Sequence, residues 1–408
     1  MSRVGDLLRE LAPDGVKVEL LGDIAQLIRG NGMPKTVLAE EGVGAIHYGQ
    51  IYTRYGVWTT DTISFVSHEA AAKLAMVLPG DIIITNTSEN LEDVGKAVAW
   101  LGDEPIVTGG HATVVRHSQE PKYLAYWFQS ESFFLQKKAL ATGTKVIDVS
   151  ANQLAKVRIP VPPLEVQREI VRILDQFSEL ETDLETELEA ERKARRRQYA
   201  FYRDQLLTQS AGTTMTTLGD IAELKYGYTA SAEAAGDYRF LRITDISPSG
   251  KLLPDRARFV PASPSSRDYI VQVGDLLMAR TGATYGKTML VSTDEPAVFA
   301  SFLIRIRFKQ PNVLPAYYWH FSQSDLYWAQ ARGLVSTGGQ PQFNGNALKL
   351  VEVPVPSLED QERIVGILDD FDALASQMSI SLAAESKARR DQYEHYRDRL
   401  FAFEGFAS

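Results

Sequence analysis

The chain has 408 residues, of which 44% are hydrophobic and 23% charged, and it contains no cysteine. This length exceeds one compact core and predicts at least two domains, while the lack of cysteine excludes disulfides, thiolate metal sites and a thiol nucleophile. The formal net charge of −9 is opposite in sign to that of a typical DNA-binding protein, but most of the excess lies in residues 164–212 and 358–408, so basic surfaces elsewhere are permitted.

The N-terminal segment carries charges throughout and lacks the apolar core of a secretory signal peptide. No stretch approaches the roughly 18 apolar residues that a membrane-spanning helix requires. We therefore expect a cytoplasmic protein with no membrane partner, and the lack of cysteine fits a reducing compartment.

Residues 1–163 are predicted to form a globular α+β domain. Short β-rich runs occur at 80–85 and 112–116, and a helical, aromatic-rich stretch follows at 123–140. Aromatic side chains in such a stretch are typical of a core, and stacking on DNA bases is the alternative.

Two polar loops of this domain, 86–96 and 142–146, are candidate DNA contacts. Amide, hydroxyl and ammonium groups are the side-chain types that bond base edges and phosphates. The alternative is that both loops are ordinary polar turns. The candidate contacts are Asn86, Ser88, Lys96, Thr144 and Lys145.

Residues 164–208 are predicted to form one long helix. The segment 165–207 contains neither proline nor glycine, and prolines lie just before it, where a helix tolerates them. At 1.5 Å per residue, such a helix spans roughly 60 Å. Apolar residues spaced alternately by three and four define a heptad seam that requires a partner helix. The seam residues are Ile170, Ile173, Phe177, Leu180 and Leu184.

The same helix recurs 194 residues later. Between 164–207 and 358–401, 23 of 44 positions are identical, where chance gives about one in twenty. Short anchors such as Gly80-Asp81 also recur, as Gly274-Asp275, but the segments between anchors differ almost completely. The pattern predicts a duplicated scaffold with pseudo-two-fold symmetry, two different surfaces and antiparallel helices. The second seam comprises Ile364, Ile367, Phe371, Leu374 and Met378.

The predicted fold class is therefore α+β, with two mixed α/β domains separated by two long helices that form an antiparallel coiled coil. Charged runs on the helices predict either solvated faces or docking surfaces for other subunits. The predicted boundaries are 1–163 for the first domain, 164–208 for the first helix, 213–357 for the second domain and 358–402 for the second helix.

Loop 280–288 of the second domain superficially resembles a nucleotide-binding P-loop. Only three residues separate Gly282 from Gly286, where the P-loop requires four, and the following residues favour a strand rather than a phosphate-binding helix. We therefore interpret the segment as a hairpin, not an ATP site, and a further polar loop follows at 337–344. Arginine and glutamine bond guanine and adenine edges in bidentate fashion, so both loops are candidate DNA contacts, with polar turns as the alternative. The candidates are Arg280, Thr281, Thr284, Tyr285, Lys287, Gln340, Gln342 and Asn344.

The sequence offers no catalytic constellation. Its six histidines are not accompanied by carboxylates at metal-ligand spacing, and it contains no Ser/His/Asp set, methyltransferase motif or glycine-rich cofactor loop that would support catalysis. We therefore expect no cofactor, no metal and no enzymatic activity of the chain itself.

The motif Pro-Leu-Glu-x-Gln-x-x-Ile-Val-x-Ile-Leu-Asp at 163–175 and its echo at 357–369, together with the segments 274–277 and 280–287, resemble the specificity subunit of Type I restriction–modification systems. The resemblance covers essentially the whole chain. It implies two target-recognition domains that bind an asymmetric, bipartite DNA target, with helices that set the gap between the half-sites. It also implies that methylation and cleavage reside in separate modification and restriction subunits, with two modification subunits docked on the helices. The alternative is a coiled-coil protein-interaction scaffold without DNA sequence specificity of its own.

Overall fold

The computed structural model describes residues 3–208, 212–255, 257–336 and 341–403, apart from the side chain of Ser379. The chain divides into two compact units. The first unit comprises Met1–Thr186 together with Ala384–Ser408, and the second unit comprises Glu187–Ala383. Each long helix therefore contributes one part to each unit.

The first unit is built on mixed sheets. Its strands are β1 (Lys17–Leu20), β2 (Ala25–Arg29), β3 (Val43–Ile46), β4 (Trp58–Thr59), β5 (Ser64–Val66), β6 (Ala75–Val77), β7 (Ile82–Thr85), β8 (Thr87–Ser88), β9 (Ala97–Trp100), β10 (Ile106–Thr108), β11 (Ala112–His117), β12 (Ile147–Asp148) and β13 (Arg158–Val161). A five-stranded sheet has the order β2-β11-β7-β9-β4, a four-stranded sheet has the order β5-β3-β10-β6, and the pairs β1-β13 and β12-β8 are separate. Only β3 with β10 and β4 with β9 pair in parallel among these described strands.

The helices of the first unit pack on both faces of the five-stranded sheet and on the four-stranded sheet. They are α1 (Arg3–Leu11), α2 (Leu21–Ile24), α3 (Tyr48–Ile51), α4 (His68–Ala71), α5 (Pro121–Trp127), α6 (Glu131–Leu140), α7 (Ala151–Leu154) and the long α8 (Leu164–Thr208), which continues into the second unit. The predicted helical stretch 123–140 is two helices, because Ser130 accepts a hydrogen bond from the Phe133 amide and starts α6 as its N-cap. Tyr123, Trp127 and Phe133 are fully buried, so these aromatic side chains form the core.

The second unit repeats this plan with fewer strands. Its strands are β14 (Thr214–Thr217), β15 (Ala222–Tyr226), β16 (Tyr238–Leu241), β17 (Phe259–Val260), β18 (Leu276–Ala279), β19 (Thr288–Leu290), β20 (Ala297–Phe299), β21 (Leu303–Phe308) and β22 (Glu352–Val355). Its helices are α9 (Leu218–Ile221), α10 (Pro315–Phe321), α11 (Asp325–Leu334), α12 (Gly345–Lys349) and α13 (Leu358–Phe401), of which the last continues into the first unit. The sheets have the orders β15-β21-β18-β19, β17-β16-β20 and β14-β22.

The scaffold contacts recur residue by residue in the two units. Asp81 pairs with Arg116 at 2.8 Å, and the equivalent Asp275 pairs with Arg307 at 2.7 Å. Tyr123 Oη donates to the Pro160 carbonyl, and the equivalent Tyr317 Oη donates to the Pro354 carbonyl, both at 2.9 Å. The equivalent Gly80 and Gly274 both have a left-handed backbone, with φ of 90° and 91°. The predicted duplication of one α+β scaffold is confirmed.

The first turns of each long helix pack onto the globular domain that precedes them. Ile170 and Ile364 are fully buried in the cores of the first and second units. The far end of each helix closes the other repeat's core: Phe401 lies in the first core and Leu207 in the second. Complete burial of such a side chain contributes about 1.5–3 kcal/mol, so each unit depends on a segment from the other repeat.

The two helices run antiparallel in both units. In the first unit, Ser178 Oγ lies 3.4 Å from Tyr393 Oη, and Arg390 pairs with Glu185 at 3.3 Å, so the residue numbers rise along one helix as they fall along the other. In the second unit, Tyr202 and Phe371 stack with ring centroids 6.2 Å apart.

The predicted seam residues differ in burial along the helices. Ile170 and Ile364 lie in cores built from their own domain and the end of the other helix, while Leu180 and Leu374 are 65% and 57% exposed. The globular domain covers the seam in the first turns, and the aromatic pairs replace leucine packing further along. The half-buried seam positions are Ile173, Leu184, Ile367 and Met378. Within the described ranges, no helix has the length and apolar composition that crossing a membrane requires.

Candidate nucleic-acid interface

The two candidate loops of the first unit lie against each other, although 45 residues, 97–141, separate them in the sequence. Strand β8 pairs with β12, with Ser88 opposite Ile147, and the Val149 amide donates to the Asn86 carbonyl at 2.9 Å. One hydrogen-bonded platform therefore carries both the 86–96 loop and the 142–148 hairpin.

Asn86 and Ser88 belong to the interior of this platform, which corrects their assignment as DNA contacts. Asn86 is fully buried, its Nδ2 donates to the Val149 carbonyl at 2.7 Å, and its Oδ1 accepts from Thr113 Oγ1 at 2.8 Å. Ser88 is only 7% exposed. A side chain that is buried and already bonded on both sides does not reach a DNA base, so Asn86 orders the loops instead.

The surface of the platform carries Lys96, Thr144 and Lys145, all exposed. Lys96 pairs with Asp93 at 2.8 Å, whereas Lys145 makes no ion pair with a carboxylate in the described part of the chain. Gly143, with φ of 99°, occupies a left-handed position that most other residues avoid, and it turns the hairpin so that its tip extends outward. Thr144 and Lys145 therefore lie exposed on the turn of the hairpin.

Lys137 holds the 86–96 loop from behind and was not predicted from the sequence. Its Nζ donates to the Val94 carbonyl at 2.7 Å and to the Glu92 carbonyl at 3.2 Å, and the residue is 4% exposed. Burial lowers the pKa of Lys137 to about 8. In the second unit Ala331 occupies the equivalent position, and Tyr327 Oη holds the loop instead by donating to the Gly286 carbonyl at 2.9 Å.

The loops of the second unit meet in the same way. Thr281 and Gln342 form an antiparallel bridge, and the Phe343 amide donates to the Arg280 carbonyl at 2.8 Å. This bond is the equivalent of the one between Val149 and Asn86. The same backbone platform thus presents different side chains in the two units.

Arg280 is partly committed to the domain. Its Nε donates to the Ser301 carbonyl at 3.0 Å, and the guanidinium lies 5.3 Å from the centre of the Tyr226 ring and 5.5 Å from that of Phe302. Thr281 is only 4% exposed, and this burial corrects its assignment as a DNA contact.

The remaining candidates of the second unit lie nearer to solvent. Thr284 Oγ1 is 3.4 Å from the Thr281 carbonyl, and the half-buried Tyr285 packs edge-on against Trp328. Asn344 is exposed, but its Oδ1 accepts from the Asn346 and Ala347 amides and caps α12. Lys287 is half-buried and Gln342 is exposed, while Gln340 lies outside the described residues.

Within the described part of the chain, no group of three or more histidine, aspartate or glutamate side chains is placed to hold a metal ion. The 86–96 loop also carries the carboxylates of Glu89, Glu92 and Asp93. The candidate contact residues themselves offer amides, hydroxyls, ammonium groups and one guanidinium. These groups are suited to hydrogen bonding with base edges and phosphates.

The sequence matches a known family over most of its length. The family described as Type I restriction modification DNA specificity domain matches residues 13–192 and 212–382. A type I restriction enzyme specificity subunit of Escherichia coli is 32% identical over 306 residues, which cover 69% of this chain and 70% of the relative. A specificity subunit of Haemophilus influenzae is 31% identical over 296 residues, which cover 69% of this chain and 72% of the relative.

Solved structures share the fold. A chain from a structural study of complex assembly and conformational transition of the type I R-M system matches with a TM-score of 0.75 at 17% identity, over 95% of this chain and 98% of that one. The HsdS subunit of Thermoanaerobacter tengcongensis matches with a TM-score of 0.54 at 16% identity, over 95% of this chain and 97% of that one. The fold of repeated domains and long helices is therefore one that type I systems contain.

Proposed function

The chain belongs to the Type I restriction modification DNA specificity family, and from this premise we propose how it selects its DNA target. It confers DNA sequence specificity in a type I restriction–modification system, in which it assembles with modification and restriction subunits and binds DNA. Methylation and cleavage then fall to those partner subunits, and the chain itself catalyses neither.

Each unit reads one half of a two-part target. The observation that carries this proposal is the repeated platform: the backbone bond from Val149 to Asn86 recurs from Phe343 to Arg280, but the exposed side chains differ. Equal scaffolds dock on equal DNA geometry, whereas unequal side chains select unequal bases. The target is therefore asymmetric and consists of two different half-sites.

The proposed contacts are the polar side chains that remain accessible on the two platforms. Lysine suits guanine or phosphate, glutamine suits adenine, and the partly stacked Arg280 retains a guanidinium that suits guanine. The first unit offers Lys96, Thr144 and Lys145, and the second offers Arg280, Thr284, Tyr285, Lys287, Gln342 and Asn344.

The long helices set the gap between the half-sites and dock the modification subunits. We assign residues 164–208 and 358–402 to this spacer, and residues 1–163 and 213–357 to target recognition. The exposed Leu180 and Leu374 lie at equivalent positions of the two helices. Two equivalent apolar positions on a repeated spacer favour two copies of the same modification subunit, one for each helix.

Selection from a random duplex library tests this function. The full chain, assembled with its modification subunits, should enrich a motif of two short conserved blocks separated by a fixed, unconserved gap. Modification subunits alone, as the control, should enrich no motif. If the assembled complex also enriches none, the chain is a protein-interaction scaffold and the proposed function is wrong.

A further inference from the structure

A basic groove lies within the second unit, between the 191–203 segment of α8 and the globular domain. We call it the basic groove. Its lining contains six cationic side chains and only two carboxylates, Glu191 and Asp372. The cationic side chains are Arg192, Arg195, Arg196, Arg203, Lys251 and Lys287.

The carboxylates near the groove neutralise only some of these cations. Arg195 pairs with Glu191 at 3.2 Å, and Lys251 pairs with Asp372. Arg203 Nε donates to Asp204 at 2.9 Å. Arg192, Arg196 and Lys287 make no ion pair with a carboxylate in the described ranges, so three positive charges remain available to an anion.

The opposite wall of the groove contains a turn that the surrounding side chains hold in place. Trp319 Nε1 donates to the Gly250 carbonyl at 3.0 Å and fixes the turn that carries Lys251. Gly250 has a φ of 70°, and a Cβ there would lie 2.6 Å from the Thr288 carbonyl, so only glycine fits this turn. The fixed turn holds Lys251 at the groove without a flexible backbone.

The groove is continuous with the proposed DNA-reading platform. Lys287 belongs to the 280–288 loop and also lines the groove. Trp328, which lines the groove as well, packs edge-on against Tyr285 of that loop. A duplex that meets the loop therefore has its backbone next to the groove.

The first unit lacks this charge excess at the equivalent helix positions. Ser386 stands where the second unit has Arg192. Arg390, the equivalent of Arg196, pairs with Glu185 at 3.3 Å. The groove is therefore a feature of one unit and not a general property of the duplicated scaffold.

We propose that the basic groove binds the phosphate backbone of the duplex next to the half-site that the second unit reads. The inference rests on the proposed function, because the 280–288 loop must face DNA. Guanidinium groups bond phosphate oxygens in bidentate fashion, and lysine adds a point charge. Such contacts strengthen binding to every sequence and fix the register of the protein, but they do not select bases.

The salt dependence of DNA binding tests the groove. Affinity is measured from 50 to 200 mM salt for the full chain assembled with its modification subunits, on a duplex that carries the selected motif and on a scrambled duplex of equal length. Each lost phosphate contact lowers the slope of log affinity against log salt by about 0.9. The variant R192A/R196A should therefore bind both duplexes more weakly, by a similar factor, with a slope lower by about one to two.

The matched control K193A/R389A also removes two exposed cations from the long helices. Lys193 pairs with Glu189 at 2.8 Å and Arg389 with Glu385 at 2.9 Å, and neither lines the groove. The control should leave the slope close to that of the unmodified chain. Thermal unfolding of both variants should match the unmodified chain, because all four positions are exposed.

Equal slopes for R192A/R196A and K193A/R389A would overturn the groove assignment. So would an unchanged DNA slope accompanied by loss of modification-subunit binding, because the groove would then hold an acidic protein surface. Failure of the proposed function is a different result, in which the unmodified complex enriches no motif. The slope on the scrambled duplex still reports on the groove in that case.

Discussion

Phe177 stacks on Tyr396 in the first unit, with ring centroids 6.0 Å apart and planes inclined by 12°. In the second unit the equivalent pair, Phe371 and Tyr202, stacks at 6.2 Å and 16°. Each pair joins the start of one repeat's helix to the end of the other's. The two repeats therefore exchange helix ends on one common register.

These stacks should contribute measurably to the stability of each unit. A double-mutant cycle on F177A and Y396A should give a coupling free energy of about 0.5–1.5 kcal/mol in urea unfolding. The cycle on F371A and Y202A is the matched control and should give a similar value. A coupling near zero in both cycles would mean that the rings lie together without stabilising the helix pair.

The common register predicts that half of the chain pairs with itself. A fragment of residues 1–208 lacks the closing segment 384–403, but a second copy offers its own equivalent, with Tyr202 in place of Tyr396. Sedimentation equilibrium should show a dimer, and the dimer should select a symmetric target. The variant F177A should weaken the dimer, and a stable monomer at high concentration would contradict the exchange of equivalent helix ends.

The sequence predicts the repeat, the long helices and the positions of the loops well, because these follow from local periodicity and internal identity. The motif that contains Leu174 and Asp175 recurs with Leu368 and Asp369, and the structure gives both copies the same place at the start of a long helix. Local sequence pattern does not predict the burial of a side chain where tertiary packing determines it. Leu180 fits a heptad seam but is exposed, because aromatic stacking holds the helices together next to it.

The candidate contacts show the same limit. Asn86 has the chemistry of an adenine-binding residue, but a bond to Val149, 63 residues away, holds it inside the domain. Lys137 was missed because its partners, the carbonyls of Glu92 and Val94, leave no sequence pattern. Asn86 directly follows the apolar strand β7, and Thr281 follows the equivalent strand β18 with Arg280 between them. Closeness to the end of a buried strand is the sequence signal that both positions share.

His320 should make the second unit acid-sensitive. It is fully buried and bonded to Asp369 at 2.8 Å, and burial lowers its pKa below the ordinary value of 6.5. As the pH falls through 6.5, the unfolded chain binds a proton that the folded chain does not, so the stability falls by at most about 1.4 kcal/mol per pH unit.

The first unit supplies the matched variant, because Tyr126 occupies the equivalent position and donates to Asp175 at 2.9 Å. The H320Y chain keeps a donor but does not titrate near pH 6. Between pH 7 and pH 5, the unfolding free energy of H320Y should therefore rise relative to that of the unmodified chain. If the unfolding free energies of the two chains change in parallel with pH, protonation of His320 does not destabilise the second unit.

Lys145 and Gln342 should each affect one half-site. A good contact to a base edge discriminates against the wrong base by about 1–3 kcal/mol. We therefore expect K145A to relax the base preference in one conserved block of the selected motif, and Q342A to relax it in the other block. Affinity for duplexes with single base changes measures this directly. If either variant weakens all duplexes equally, its side chain contacts phosphate; if either relaxes both blocks, the assignment of one half-site to each unit is wrong.

If the paired helices determine the gap between the two half-sites, as we propose, longer helices should widen that gap. Inserting seven residues of heptad sequence after Glu189 and again after Ala383 lengthens both helices equally, at equivalent positions of the repeat. The added length of about 10 Å corresponds to about three base pairs of duplex. Library selection with the lengthened chain should return the same two half-sites with a gap longer by about three base pairs. An unchanged gap, or half-sites that change with helix length, would show that the helices do not set the spacing.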